Sequence, residues 1–220
     1  MNNAVKFARY YQISKERSVN VRVFARESAC HVSGAISAAL TGMSDDHDGY
    51  HLPKNEVLRT GRAHYFVDSR SGESEPAFSK RRAGELEVLD EDASADTICA
   101  FTSRLLMVSG GVFIPPKGYW AKKQEVLGRH DILLVVDEVT SRFRRCGTWT
   151  GCEAFGIEPD MMTLAKKMTG AIFPMSAVAM SDKVHAGIAK QAHALGALDH
   201  GVTYEGQPIG GAIAVETLSN

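Results

Sequence analysis

Three observations predict an α/β protein, a mainly parallel sheet flanked by helices. The apolar run Ile132 to Val136 in "DILLVVDEVTSRFRRCG" is short, rich in branched side chains and bounded by polar residues, as in a strand buried on both faces of a parallel sheet. Further short apolar segments alternate with stretches of helical spacing along the chain. At 220 residues, 44% hydrophobic and 23% charged, the chain is long enough for one substantial core and has the composition of an ordinary globular protein.

Taken in order, Val5 to Lys15 has helical character and "VNVRVF" at 20 to 25 alternates as a strand does. "SGAISAALT" from Ser33 to Thr41 suits a helix of small residues with serine near its start. From Thr41 to about Pro76 the chain is rich in Gly, Ser, Asp, His and Pro without a sustained period, which predicts a long loop with short elements. Helical spacing resumes from Ala77 to Leu89, "TICAF" at 97 to 101 is a candidate strand, and "GGVFIPPKG" leads into a helix from about Tyr119 to His130. The buried strand follows at once. A turn at Glu158-Pro159-Asp160 precedes a strand from Met161 to Ala165, and "SAVAMSD" at 176 to 182 is another. Its Ser181 or Asp182 suits the cap of a helix reaching about Gln191. The last helix runs from about Pro208 to Leu218, with proline at its first turn.

The formal charge of −1 gives no electrostatic reason to expect nucleic acid or an anionic membrane as partner. No apolar stretch approaches the roughly 18 to 20 residues of a spanning helix, and "MNNAVKFARYYQ" lacks the apolar core of a signal peptide. A cytoplasmic location is the default expectation. Cys30, Cys99, Cys146 and Cys152 form no CxxC pair and read as free thiols in a reducing compartment. His47 and His51 have the spacing of helical metal ligands but lie in the loop-like "DDHDGYH", so no metal site is expected. The acids of "GELEVLDEDASAD" read as a solvated face.

In open α/β sheets the ligand site lies beyond the carboxyl ends of the strands. Asp137 follows "ILLVV" and Lys166 follows "MMTLA". A carboxylate at the rim of a core costs several kcal/mol unless donors or a cation meet it. A lysine beside apolar walls loses part of its proton affinity and becomes a nucleophile toward carbonyls. The pair suits a cofactor with an aldehyde at one end of a ring and a basic nitrogen at the other, which describes pyridoxal phosphate. An Asp after a strand serves equally as a turn former or cap, and the residue pattern alone leaves both open.

The wording around these residues narrows the choice. "LLVVDEV", then the lysine of "PDMMTLAKKMTGA", then "HGVTYEGQP" resemble the pyridoxal-phosphate-dependent class III aminotransferases, including the omega-transaminases. The likeness extends through "AVKFARYYQ", "FARESACHVSGAISAALTG" and "GGVFIPPKGYW", so nearly the whole chain is covered. The resemblance implies the large domain of a fold type I pyridoxal-phosphate-dependent transferase. In it Lys166 would form the Schiff base with pyridoxal 5'-phosphate, Asp137 would hold the pyridinium nitrogen, and Val139 would pack against the ring. His31 falls on the histidine of the family's Tyr-His-Gly motif. Thr203 matches a threonine that reaches the cofactor phosphate of the neighbouring subunit, which implies a homodimer. The implied substrates are a small-molecule amino donor and a keto acid. Lys167, adjacent to the proposed lysine, is expected to be solvated.

The sequence also departs from the family pattern. Tyr-His-Gly reads here as Cys30-His31-Val32, Glu-Pro reads as Arg104-Leu105, and the glycine-rich turn after "DEV" reads "TSRFRRCG". Arg104 reverses a charge near the cofactor and could compete for Asp137. Arg142 and Arg144 would be strained if the turn needs positive φ, or would snorkel outward if it does not. By the resemblance, residues 1 to 220 are a partial large domain, truncated at both ends. The phosphate-binding turn is expected just before "NNAVKF", and a small C-terminal domain after Asn220. Two functions follow as expectations: an aminotransferase acting through Lys166, or a non-catalytic truncated remnant with at most a dimerising or interaction surface.

Overall fold

The computed structural model describes residues 1–17, 21–31, 33–88 and 97–219. Thus Asn20, Val32, Leu89 and most of the acidic run after it lie outside the described residues. The chain runs α1 (Asn2–Ser14), β1 (Arg22–Arg26), α2 (Ala35–Leu40), β2 (Val57–Thr60), α3 (Tyr65–Asp68), α4 (Glu75–Val88) and β3 (Ile98–Arg104). It continues with α5 (Tyr119–Arg129), β4 (Leu133–Asp137), α6 (Gly151–Phe155), β5 (Met161–Leu164), β6 (Ala177–Met180), α7 (Asp182–Leu195) and α8 (Pro208–Ser219). A 3₁₀ turn over Lys166–Thr169 follows β5.

The strands form one sheet in the order β2-β1-β3-β4-β5-β6. All neighbours are parallel except β6, which runs antiparallel to β5. Strand order reverses between β1 and β3, the kind of switch point at which open α/β sheets bind ligands.

Side chains alternate across the sheet into two layers. Val23, Leu133, Val135 and Met161 pack with Ala4, Val5, Ala8 and Tyr11 of α1 and with Val184 and Ile188 of α7. Phe24, Phe101, Leu134 and Val136 pack with Tyr119, Trp120 and Leu127 of α5 on the opposite face. Each fully buried aliphatic or aromatic side chain contributes roughly 1.5–3 kcal/mol, so β4, buried along its whole length, is the spine of both layers.

Several expectations shift. The stretch from Thr41 to Pro76 holds β2, an edge strand paired with β1 from Val23↔Val57 to Arg26↔Thr60. Four residues without alternation gave it no period to detect. The first strand starts at Arg22 and ends at Arg26, because both its faces are covered and the alternation was not its determinant. The strand begun by "TICAF" extends to Arg104, since pairing with β4 continues to Arg104↔Asp137. Ser181 does cap α7, accepting a hydrogen bond from Val184 N. The short α2 is capped from outside instead: Asn2 Oδ1 accepts from Ser37 N at 3.0 Å and Ser37 Oγ at 2.7 Å. Gly34, at φ 111°, has space only for hydrogen where Asn2 Nδ2 approaches.

Lys123 of α5 is fully buried. Its ammonium donates to Arg82 O and Ala83 O, both at 3.1 Å, and lies 5.1 Å from the Phe101 ring centroid. Burial pushes its pKa down to about 7 from 10.5. The unfolded chain therefore binds the additional proton between these values, so stability is fully present above pH 10.5 and is lost as the pH falls toward 7. Lys123→Met removes the buried charge and should stabilise the protein by about 1–4 kcal/mol at pH 7. Thermal melts of the variant should also lose the wild-type rise in stability from neutral to alkaline pH; parallel profiles for the two proteins would contradict this.

Candidate functional site

Strand register assembles the site. Arg104 of β3 pairs with Asp137 of β4, which pairs with Thr163 of β5. Partners in parallel register project to the same face, and alternation from Val135 places that face toward α1. Three polar side chains are thereby gathered at the carboxyl ends of the central strands. A cavity of about 650 Å³ opens over them, bordered by Asn3 and Phe7 of α1, by Val178 of β6 and by His200 and Glu205.

Asp137 is the centre. Its Oδ2 lies 2.9 Å from His31 Nδ1 and 3.5 Å from Arg104 Nε. Its Oδ1 accepts the Val139 N–H at 3.1 Å. The side chains of His31, Asp137 and Arg104 are 0%, 4% and 4% exposed. Burial pushes the Asp137 carboxyl upward, but the His31 hydrogen bond, the Arg104 charge and the Val139 N–H outweigh it and hold the carboxyl below the usual range. Burial, with help from Arg104, pushes the His31 imidazole downward against the pull of Asp137. The pair is therefore an ionised carboxylate and a neutral imidazole. A carboxylate only accepts, so Nδ1 carries the proton and Nε2 is left as an acceptor. His31 Nε2 and Thr163 Oγ1 are both buried without a hydrogen-bond partner among the described residues.

The surroundings fix this geometry. The His31 backbone N–H donates to Thr41 Oγ1 at 2.9 Å. Arg104 Nε donates to Cys30 O at 2.5 Å and Nη1 to Thr140 Oγ1 at 3.3 Å. The Arg104 carbonyl accepts in turn from the buried Arg26, whose guanidinium lies 4.9 Å from the Trp120 ring.

The sequence-derived residues separate into two groups. Asp137, His31 and Val139 come together at the cavity, and Arg104 joins them as the possible competitor for Asp137. Lys166 follows the cavity-lining Ala165 but is itself exposed, so the apolar walls expected beside it are not supplied by the described residues. Its backbone has φ 51°, a left-handed conformation that costs a non-glycine residue about 1–2 kcal/mol. Thr203 is exposed in the turn at 203–206 and does not border the cavity, although Glu205 does. Lys167 is tethered rather than merely solvated: its ammonium donates to Phe143 O at 2.6 Å.

Glu138 has a role the sequence did not indicate. It is 1% exposed and accepts from Ser141 Oγ, Gly151 N and Cys152 N at 2.5, 3.1 and 2.8 Å. It thus closes the loop after β4 and caps α6. Within that loop Phe143 and Arg144 have φ 58° and 64°. The strain considered for the arginines falls on Arg144 and its neighbour. Arg142 escapes it, with its guanidinium 5.3 Å from the Phe143 ring. The signal for Thr163 was its place two residues before Ala165 on a strand ending at the same rim, which becomes visible only with the register.

Comparison with known proteins was consistent along the chain. The family model described as aminotransferase class-III matches residues 1–220. An uncharacterized aminotransferase of Sinorhizobium fredii is 39% identical over 213 residues, covering 97% of this chain and 46% of the relative. The vanillin aminotransferase of Capsicum frutescens is 37% identical over 214 residues, covering 97% and 47%. The omega transaminase of Pseudomonas jessenii, solved in complex with PMP, superposes with a TM-score of 0.95 at 37% identity, covering 99% of this chain and 48% of that one. The chain spans about half the length of the curated relatives it matches. A related tomato gamma aminobutyrate transaminase, 39% identical, is described as chloroplastic, so the default cytoplasmic expectation gains no support. Among the described residues no helix is long and apolar enough to cross a membrane, and no cluster of potential ligands could hold a metal ion.

Two outcomes are expected. Arg144→Gly relieves the left-handed strain and should add about 1 kcal/mol, seen as a melting temperature higher by about 2–4 °C. His31 and Asp137 both have depressed folded-state values, so their contribution is present above the unfolded values and lost as the pH falls below 6.5 for His31 and 3.8 for Asp137. His31→Asn keeps a donor toward Asp137 without a group that must remain neutral. Its stability should fall less than that of the wild type between pH 6.5 and 4, as measured by urea unfolding.

Proposed function

The chain belongs to the class-III aminotransferase family, and on that premise we propose that residues 1 to 220 form the cofactor-binding large-domain portion of an aminotransferase. It would move an amino group from a small-molecule donor to a keto acid. The observation that carries this reading is an ionised, buried Asp137 lining a cavity of about 650 Å³ at the carboxyl ends of the central strands.

The residues present fit pyridoxal 5'-phosphate. Asp137 Oδ1 accepts only one hydrogen bond from the described residues, and two buried polar atoms, His31 Nε2 and Thr163 Oγ1, lack partners beside it. Bound there, the cofactor supplies an aldehyde that condenses with amines and a ring that withdraws electrons from the substrate carbon. Asp137 would orient the ring through its nitrogen. Neutral His31 holds the carboxylate in one rotamer, and Val139 offers an aliphatic surface to the ring face. Lys166 would provide the amine for the aldehyde and carry the proton to and from the substrate carbon. Its left-handed backbone is the kind of local strain that collects at functional positions. The amino end of α1 borders the cavity through Asn2 and Asn3 and favours an anionic group there. Thr203, beside the exposed Val202 and Tyr204 (58% and 82%), is available to the cofactor phosphate of a second copy, which is the basis for proposing a homodimer.

A second reading, binding without turnover, is favoured by Arg104, which already shares Asp137 Oδ2. The two separate experimentally. Mixing the protein with pyridoxal 5'-phosphate should give a yellow species, and borohydride reduction should fix a single adduct on Lys166, absent in Lys166→Ala. Adducts scattered over exposed lysines would contradict cofactor binding at this site. An assay with amino donor and keto acid then decides between a working enzyme and a binding remnant.

A further inference from the structure

Arg104 is the charged group at this cavity that the proposed reaction does not use. It is a strand residue in register with Asp137, and its side chain is as buried as that of its partner. Contacts to Cys30 O and Thr140 Oγ1 secure the guanidinium, and Arg26 secures its backbone carbonyl. It has no second arrangement available without breaking these bonds. Arginine remains charged under all ordinary conditions.

We propose that Arg104 is a positioning residue that takes Asp137 as its counter-ion and thereby lowers the proton affinity of a ring nitrogen placed against that carboxylate. This rests on the cofactor reading given above. A carboxylate alone at the cavity floor would offer a ring nitrogen one net negative charge and would favour its protonation. A carboxylate that also faces a guanidinium 3.5 Å away offers less. The incoming proton then meets a cation as well as an anion at close range in a site sheltered from water, where such interactions are least screened.

The other groups around Asp137 do not reverse this balance. His31, from the segment after β1, is neutral and donates to the carboxylate. Thr163 of β5 is uncharged. Met1 brings the α-amino group to the cavity, where burial lowers its proton affinity against the pull of Asp137; Asn2 and Asn3 of α1 border it without side-chain charge, and the amino end of the helix is itself positive in sign. Glu205 and His200 lie across the cavity, Glu205 exposed to solvent. The functional consequence is a weaker electron sink: the site would hold the ring while slowing steps that place negative charge on the substrate carbon.

The experiment uses the whole chain with pyridoxal 5'-phosphate labelled with ¹⁵N in the ring, comparing the wild type with Arg104→Gln. Glutamine keeps a hydrogen-bond donor but removes the charge. ¹⁵N NMR is recorded from about pH 6 to pH 9, the range that brackets neutral titrations. Arg104→Gln should raise the proton affinity of the ring nitrogen at least tenfold, about one pH unit. Identical titrations in the two proteins, or a lower proton affinity in Arg104→Gln, would overturn the proposal.

The His31 imidazole in the cofactor-free proteins provides a second readout. Arg104→Gln should raise its proton affinity, because the carboxylate it faces is no longer shared. An unchanged His31 titration overturns the proposal even if neither protein takes up the cofactor. Failure of uptake combined with a raised His31 titration rejects the cofactor reading while upholding the Arg104–Asp137 pair.

Discussion

Everything at the candidate site depends on one buried carboxylate having to be satisfied. Asp137 ends a strand that is buried along both faces, so its charge sits where water is largely excluded and where an unpaired carboxylate costs several kcal/mol. The surrounding fold answers that requirement from three directions. The segment after β1 brings His31, the neighbouring strand brings Arg104, and the turn after β4 folds the Val139 amide back onto Oδ1. His31 and Arg104 are each anchored by further contacts.

The adjacent acid solves a different problem. Glu138 turns away from the cavity and receives three hydrogen bonds that close the loop from β4 to α6. Consecutive strand residues face opposite sides of a sheet, so two neighbouring carboxylates serve different layers. Asp137 addresses the cavity on the α1 side, and Glu138 organises the loop that carries Phe143 and Arg144. The positive φ at those two residues marks where the present side chains suit the backbone least. The chain therefore gathers a buried cluster of charged and polar groups around Asp137 beside a loop that carries left-handed backbone at two bulky residues.

Much of this was legible in the residues. The buried strand at Ile132 to Val136, the helices on either side of it and the placement of Asp137 at a carboxyl end all follow from the apolar run and its polar boundary. The quoted motifs identified the family. Periodicity was silent for Val57–Thr60, where four residues on a sheet edge carry no measurable pattern, and it shortened β3, where Thr102, Ser103 and Arg104 are polar yet buried by pairing. The sequence could place Lys166 after a strand but could not show that its side chain is exposed, because exposure depends on what other segments cover.

By itself the sequence determined the order of the longer helices and central strands, the apolar faces that layer them and the positions of the chemically unusual residues, since these depend on local pattern and spacing. Only the tertiary structure decided which of those residues meet. Parallel register sets Arg104 opposite Asp137, and the segment after β1 delivers His31 from 106 residues away. The protonation of each group follows from that convergence, because the free energy of a buried charge depends on the neighbours within a few ångströms and not on the residues beside it in the chain.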